Sequence, residues 1–300
     1  MTFSTIVVGV DGHEGGRDAL ALADRLQAVC GELVAVCAYV SEHVVGHGPQ
    51  AHLESRTRDE VHAELDAELA CAGVDAEPLV VPDASAARAL HRAAQRHQAA
   101  LIVVGAGYRG RVGRVVDGDV AASTLHHSPC PVLVAPPRYA QNPGPLATIG
   151  AAFDGSPESR AAVVVARDVA VALGATLRVL TVLEPPGAWT AYPSWEHESR
   201  QAPAVRAATR TSLDALVAAL GPNVTAELLE GEPARALGRA ALDIDLLVCG
   251  SRSHGPLARL LLGGTSGRLT RNAPCPVLVL ASGISEHLVR DDPAWIAART

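Results

Sequence analysis

The chain carries one pattern twice, and that limits the folds open to it more than any other feature. Ile6-Val7-Val8-Gly9-Val10-Asp11-Gly12 returns as Ile149-Gly150-Ala151-Ala152-Phe153-Asp154-Gly155. At the same offset Arg17 meets Arg160 and Gly31 meets Gly174. Leu101-Ile102-Val103-Val104-Gly105 returns as Leu246-Leu247-Val248-Cys249-Gly250, and the Cys130-Pro131-Val132-Leu133-Val134 run as Cys275-Pro276-Val277-Leu278-Val279. A period of about 140 residues is the size of a whole domain, so the 300 residues read as two copies of one unit. The stretch from Pro136-Pro137 to Pro145 has linker composition. The expected division is a first domain over 1–140, a second over 147–283 and a tail over 284–300.

Within each copy, short apolar runs alternate with segments of helical spacing. Strands are expected at 5–10, 33–40, 77–82, 100–105 and 131–135, then at 148–153, 176–183, 225–230, 244–249 and 276–280. Helices are expected at 15–29, 55–72, 84–97 and 117–127, with a matching set in the second copy. Unbroken Val/Ile/Leu runs suit strands covered on both faces, as in a parallel sheet. The strand–helix alternation predicts an α/β architecture of two doubly wound domains.

Composition removes several functions. All 25 basic residues are arginine. Without lysine there is no Walker-type phosphate loop, no Schiff-base chemistry and no control by lysine acetylation. A net charge of -7 with no basic run argues against nucleic acid as a partner. Charged residues or histidine interrupt every apolar stretch before the ~18 residues of a membrane span. The start, Met1-Thr2-Phe3-Ser4 and then Ile6-Val7-Val8, reads as a strand and not a signal peptide, so a cytoplasmic protein is expected. The six cysteines form no C-x-x-C pair and are expected as reduced, mostly buried thiols.

Open parallel sheets bind ligands beyond the carboxyl ends of their strands. Asp11 and Asp154 end the first strand of each copy, Gly105 and Gly250 end the fourth, and Gly118 and Gly263 open the helix after it. A helix N-terminus offers free N–H groups to an anion, glycine lets phosphate approach, and an acid accepts hydrogen bonds from ribose or holds a divalent ion. These features suggest a nucleotide. The plain alternatives are tight turns for the glycines and helix N-caps for the aspartates, with Ser156-Pro157-Glu158 also fitting a cap.

The two-copy pattern resembles the universal stress protein family in its tandem form. The resemblance rests on Val8-Gly9-Val10-Asp11-Gly12, on Gly250-Ser251-Arg252-Ser253-His254-Gly255, on Leu261-Leu262-Gly263-Gly264-Thr265-Ser266 and on both Cys-Pro-Val-Leu-Val strands. It implies a five-stranded parallel sheet in the order 3-2-1-4-5 in each half, with the halves paired through their fifth strands. ATP-binding members carry Gly, two residues, Gly, nine residues, Gly, then Ser or Thr. In the second half Gly250 and Gly263 match the first and third glycines. Ser253 stands for the second, with Gly255 nearby, and Gly264 replaces the hydroxyl residue just before Thr265 and Ser266. The resemblance further implies contacts from Ala152 and Asp154, adenine read by the backbone at Val182, and added positive charge from Arg252 and His254. The first-half counterparts are Gly9, Asp11, Gly105 and Gly118. There Tyr108 takes the second glycine position, and Asp117 and Asp119 bring negative charge that Arg109, Arg111 and Arg114 would have to offset. That site is expected to be weakened.

No catalytic set stands out: there is no G-x-S-x-G elbow and no paired-carboxylate signature. His43, His47 and His52, like His126 and His127, lack a zinc frame, so no metal site is expected. The loop with Trp189, Tyr192, Pro193 and Trp195 reads as a lid or an exposed contact loop. The expected function is binding of ATP, with or without Mg²⁺, by a stress-response regulator that changes conformation or partner, with slow hydrolysis at most. The competing expectation is a nucleotide-free scaffold. The halves pair within the chain, two chains are free to pair again, and the protein partner is unknown.

Overall fold

A computed structural model describes residues 3–40, 57–107, 120–184, 195–251 and 264–280, with only the backbone for 195–202. The first half runs β1 (Phe3–Gly9), α1 (Glu14–Arg25), β2 (Cys30–Tyr39), α2 (Arg58–Ala72), β3 (Glu77–Pro82), α3 (Ala86–Arg96), β4 (Leu101–Gly105), α4 (Val120–Leu125) and β5 (Val132–Ala135). The second runs β6 (Thr148–Ala152), α5 (Pro157–Leu173), β7 (Thr176–Leu183), α6 (Trp195–Leu220), β8 (Val224–Glu230), α7 (Pro233–Ala240), β9 (Leu246–Gly250), α8 (Gly264–Asn272) and β10 (Val277–Leu280).

The strands lie in one ten-stranded sheet, β3-β2-β1-β4-β5-β10-β9-β6-β7-β8. Each half is parallel throughout and has the order 3-2-1-4-5. The halves meet at an antiparallel seam, with Val134 facing Val277, Leu133 facing Leu278 and Val132 facing Val279. Leu133 therefore faces its own repeat counterpart, and a pseudo-twofold axis passes through that pair. Antiparallel pairing reverses the second half, so the carboxyl ends of its parallel strands lie at the opposite edge of the sheet from those of the first.

Burial explains why the strand runs are apolar without alternation. Ile6, Val8, Leu101, Ile149 and Leu246 are at most 1% exposed. Full burial of one such side chain stabilises by about 1.5–3 kcal/mol. On one face a single core runs through both halves, joining Leu20 of α1 and Leu65 of α2 to Val163 of α5 and Leu213 of α6. On the other face each half keeps its own core, with Leu90 and Ala121 in one and Leu237 and Leu269 in the other.

Helix ends follow local chemistry. Thr57 and Glu60 form a capping box before α2, Ser85 caps α3, and Ser156 caps α5 with Pro157 at its first turn. Gly31 and Gly174 are not structural counterparts. Gly31 lies inside β2, whereas Gly174 ends α5 at φ 66°. The register supports this: Ile6 faces Leu33 and Ile149 faces Leu177, one residue further along.

The linker is fastened at both ends by buried or strand-end carboxylates. Asp18, 3% exposed, accepts the N–H groups of Arg138 and Ala140, each at 2.8 Å. Asp245 accepts those of Ala147 and Thr148 at 3.0 and 2.8 Å. Hydrogen bonds to a charged acceptor contribute about 1.5–3 kcal/mol each.

Candidate functional site

The carboxyl edge of the second half gathers the features that sequence singled out. Ala152 ends β6, Gly250 ends β9, and Val182 lies one residue from the end of β7. β6 lies between β7 and β9. Thr181 ties β7 to the end of β6 by donating its hydroxyl to the Phe153 carbonyl at 2.9 Å. Asp154 follows, exposed, with Oδ1 accepting the Ser156 N–H at 2.9 Å. Gly264, Thr265 and Ser266 make up the first turn of α8, and a Cβ at Gly264 would meet nothing within 4 Å. The leading N–H groups of a helix have no partner within it, so Gly264 and Thr265 present donors at this end. Arg268 braces α8 against α7 through Glu232 at 2.8 Å.

The first half repeats the frame with different charge. Gly9 ends β1, and Asp11 follows with Oδ1 accepting the His13 N–H at 3.0 Å. Arg17 donates to the Gly12 carbonyl at 3.0 Å, as Arg160 does to that of Gly155 at 3.2 Å. Here α2 adds Glu68, whose Oε1 lies 3.5 Å from Arg17 Nε with its side chain 15% exposed. Burial raises the Glu68 pKa; Arg17 opposes the rise and Asp11 adds to it. Counted back from Gly73 and Gly221, the glycines after α2 and α6, the counterpart of Glu68 is Leu216, 4% exposed.

A family model described as the universal stress protein family matches residues 2–136 and again 146–281. The chain belongs to the universal stress protein family. A universal stress protein of Thermus aquaticus is 35% identical over 44% of this chain and 97% of its own length. One of Mycobacterium tuberculosis is 30% identical over 61% of this chain, and the match spans 64% of that relative's length. The crystal structure of a universal stress protein from Archaeoglobus fulgidus covers 92% of this chain and 95% of that one at 20% identity, with a TM-score of 0.62. The family's fold accounts for the 3-2-1-4-5 order in each half.

Within this universal stress protein frame, two groups of residues have roles that sequence did not assign. Gly105 and Gly250 are the last residues of β4 and β9, in strand conformation and without positive φ. Both let a helix approach a strand end. A Cβ at Gly105 would overlap the Gly15 backbone, and one at Gly250 would come within 2.7 Å of the Glu158 backbone. Asp11 and Asp154 are not N-caps; His13 and Ser156 hold those positions. The aspartates sit two residues earlier, before Gly12 at φ 75° and Gly155 at φ 82°. Each forms a side-chain turn over that glycine through its Oδ1. Arg252, Ser253, His254, Gly255 and Gly263 lie outside the described residues. So do Gly118, Tyr108, Asp117, Asp119, Arg109, Arg111 and Arg114, as well as His43, His47, His52, Trp189, Tyr192 and Pro193.

Sequence reasoning missed a cleft of ≈ 420 Å³ at the end of β3, lined by Pro82, Asp83, Ala84, Arg88 and Arg92. Asp83, with 1% side-chain exposure, pairs with both arginines. Register puts Gly231 at the Asp83 position, since each donates its N–H to the last residue of the neighbouring strand. The cysteines are all free: Cys130, Cys249 and Cys275 are buried and Cys71 is exposed. Burial pushes the three buried thiols up to about 12, which keeps them protonated and inert at neutral pH.

Proposed function

We propose that the second half binds an adenine nucleotide, ATP with or without Mg²⁺, and that the chain acts as a stress-response regulator whose conformation or partner follows ligand binding. The domains carrying this function are taken as 1–140 and 147–283. The observation that supports the reading most is the convergence of Asp154, Val182, Gly250 and the first turn of α8 on one edge. The N–H groups of Gly264 and Thr265 suit phosphate oxygens, Ser266 follows them in the same turn, and Asp154 suits a ribose hydroxyl or a divalent ion. Arg252, Ser253, His254, Gly255 and Gly263 complete the proposed set. The ligand acts by shifting a population of states and not as fuel.

A second reading, a nucleotide-free scaffold, draws support from the first half. Asp11 and Glu68 put two carboxylates at that edge, where a triphosphate would meet repulsion. The proposed first-half contacts at Gly9, Asp11, Gly105 and Gly118 are accordingly the weaker set.

Calorimetry with Mg-ATP separates the readings. One site per chain is expected, lost in Gly264→Asp with thermal stability kept or slightly raised. The new carboxylate has room and favours the helix N-terminus by about 0.3–1 kcal/mol, yet repels phosphate. Wild-type protein that binds no adenine nucleotide at millimolar concentration would sink the nucleotide reading and leave the scaffold.

A further inference from the structure

We propose that Glu32, Glu77 and His97 form a site for a divalent first-row transition metal ion, Zn²⁺ foremost. The site lies at the amino edge of the first half, across the sheet from its nucleotide-type edge. One ligand atom from each of the three residues lies within 4.8 Å of the others. The sheet brings the two acids together. Val34 of β2 faces Glu77 of β3, and Glu32 lies two residues before Val34, so the acids share a face. Val34 packs in the core beneath α3, which fixes that face as the α3 side. His97 is the C-cap of α3, and its N–H donates to Ala93 at 2.9 Å. Gln98 follows at φ 49° and turns the chain toward β4.

The charges are unbalanced as they stand. Among the described residues no arginine lies within ion-pair distance of Glu32 or Glu77, although Asp83 in the same half draws two. The contact recorded for the Glu32 carboxylate is the Thr5 hydroxyl, at 3.4 Å. The second half places an arginine near the equivalent corner, paired with an acid of its own. Its counterparts of Glu32 and Glu77 are Thr176 and Thr225, and that of Val34 is Arg178. The Arg178 guanidinium reaches Glu227 at 2.5 Å and the Asp243 carbonyl at 3.1 Å, just past the end of α7. One half thus carries an arginine with its own acid here, and the other two glutamates and a histidine.

The donor set narrows the ion. One imidazole with two carboxylates suits Zn²⁺ and its first-row neighbours, whereas Ca²⁺ and Mg²⁺ take oxygen ligands alone. Bond lengths of about 2.0–2.1 Å put neighbouring ligands about 3.3 Å apart, so each side chain, two of them exposed and His97 half-buried, closes by roughly 1 Å. Three protein ligands leave a position for water.

The test uses tag-free full-length protein without nucleotide, so its outcome does not depend on the nucleotide reading. Zn²⁺ is titrated calorimetrically, and Co²⁺ substitution is followed by visible d–d absorption. One site is expected whose affinity falls at least tenfold in Glu77→Gln and in His97→Gln, with metal-free melting unchanged in both. Thr225→Glu, which adds a carboxylate beside Arg178, is expected to create no Zn²⁺ site. Wild-type protein that takes up no Zn²⁺, or uptake equal in wild type and both variants, would overturn the proposal.

Discussion

Set side by side, the two halves share strand order, register and the arginine that holds the loop after the first strand. They part over what fills the space around that frame. At the carboxyl edge the first half has Glu68 against Arg17 and Asp11, where the second has Leu216. Beyond β3 it buries Asp83 between two arginines; beyond β8 the second half has Gly231. At the amino edge it collects two glutamates and a histidine, where the second half uses Arg178. The hydrogen-bonded strands keep their order and register, whereas side chains at the edges of the sheet and on the helices beside it exchange charge around that frame. The first half carries Glu68 at its carboxyl edge and Glu32 and Glu77 at its amino edge, where the second has Leu216, Thr176 and Thr225.

The largest expected effect tests what the halves share. Gly105→Val and Gly250→Val each force a side chain into a helix backbone. Each should cost about 3 kcal/mol in urea unfolding. A loss in one half alone would break the claim that both glycines serve the same packing. Next, Asp83→Asn removes the carboxylate from a buried ion-paired position and should cost about 2 kcal/mol. Glu230→Gln, in an exposed pair with Arg206 in the second half, should stay within about 0.5 kcal/mol. Equal costs would remove the contrast between a buried and a solvated cluster.

The smallest effect concerns Glu68. Its pKa is raised in the folded chain, so folding favours the protonated form. Its contribution to stability is full below the unfolded value and is lost as pH rises through the folded one. Glu68→Gln should therefore match wild type near pH 3 and become the more stable protein toward pH 7, by under about 1 kcal/mol. A variant less stable than wild type at pH 7 would show that the Arg17 pair outweighs the burial cost.

Most of the fold was legible because its inner strands are buried on both faces, and the strands fall within three residues of their expected bounds. The site was legible only in part. Gly105 and Gly250 stood out, but sequence could not show that a helix backbone, and not a ligand, requires them. Asp11 and Asp154 looked like caps because the positive-φ glycine after each hides two extra residues of turn. Glu68 sits one residue off the Val61, Leu65, Leu69 stripe of α2 and reads as a solvated face until the helix is docked. Glu32, Glu77 and His97 come from three elements, and only the sheet register makes them neighbours.

The seam at Leu133 and Leu278 has a further consequence. Two separate subunits joined by such strands would come apart on dilution, and any substitution would appear in both at once. Here the partner strand is tethered within the same molecule, at an effective concentration on the order of millimolar by linker length alone. Asp18 and Asp245 shorten that tether further. Pairing becomes independent of how much protein is present, and a substitution can change one half while the other keeps its own sequence.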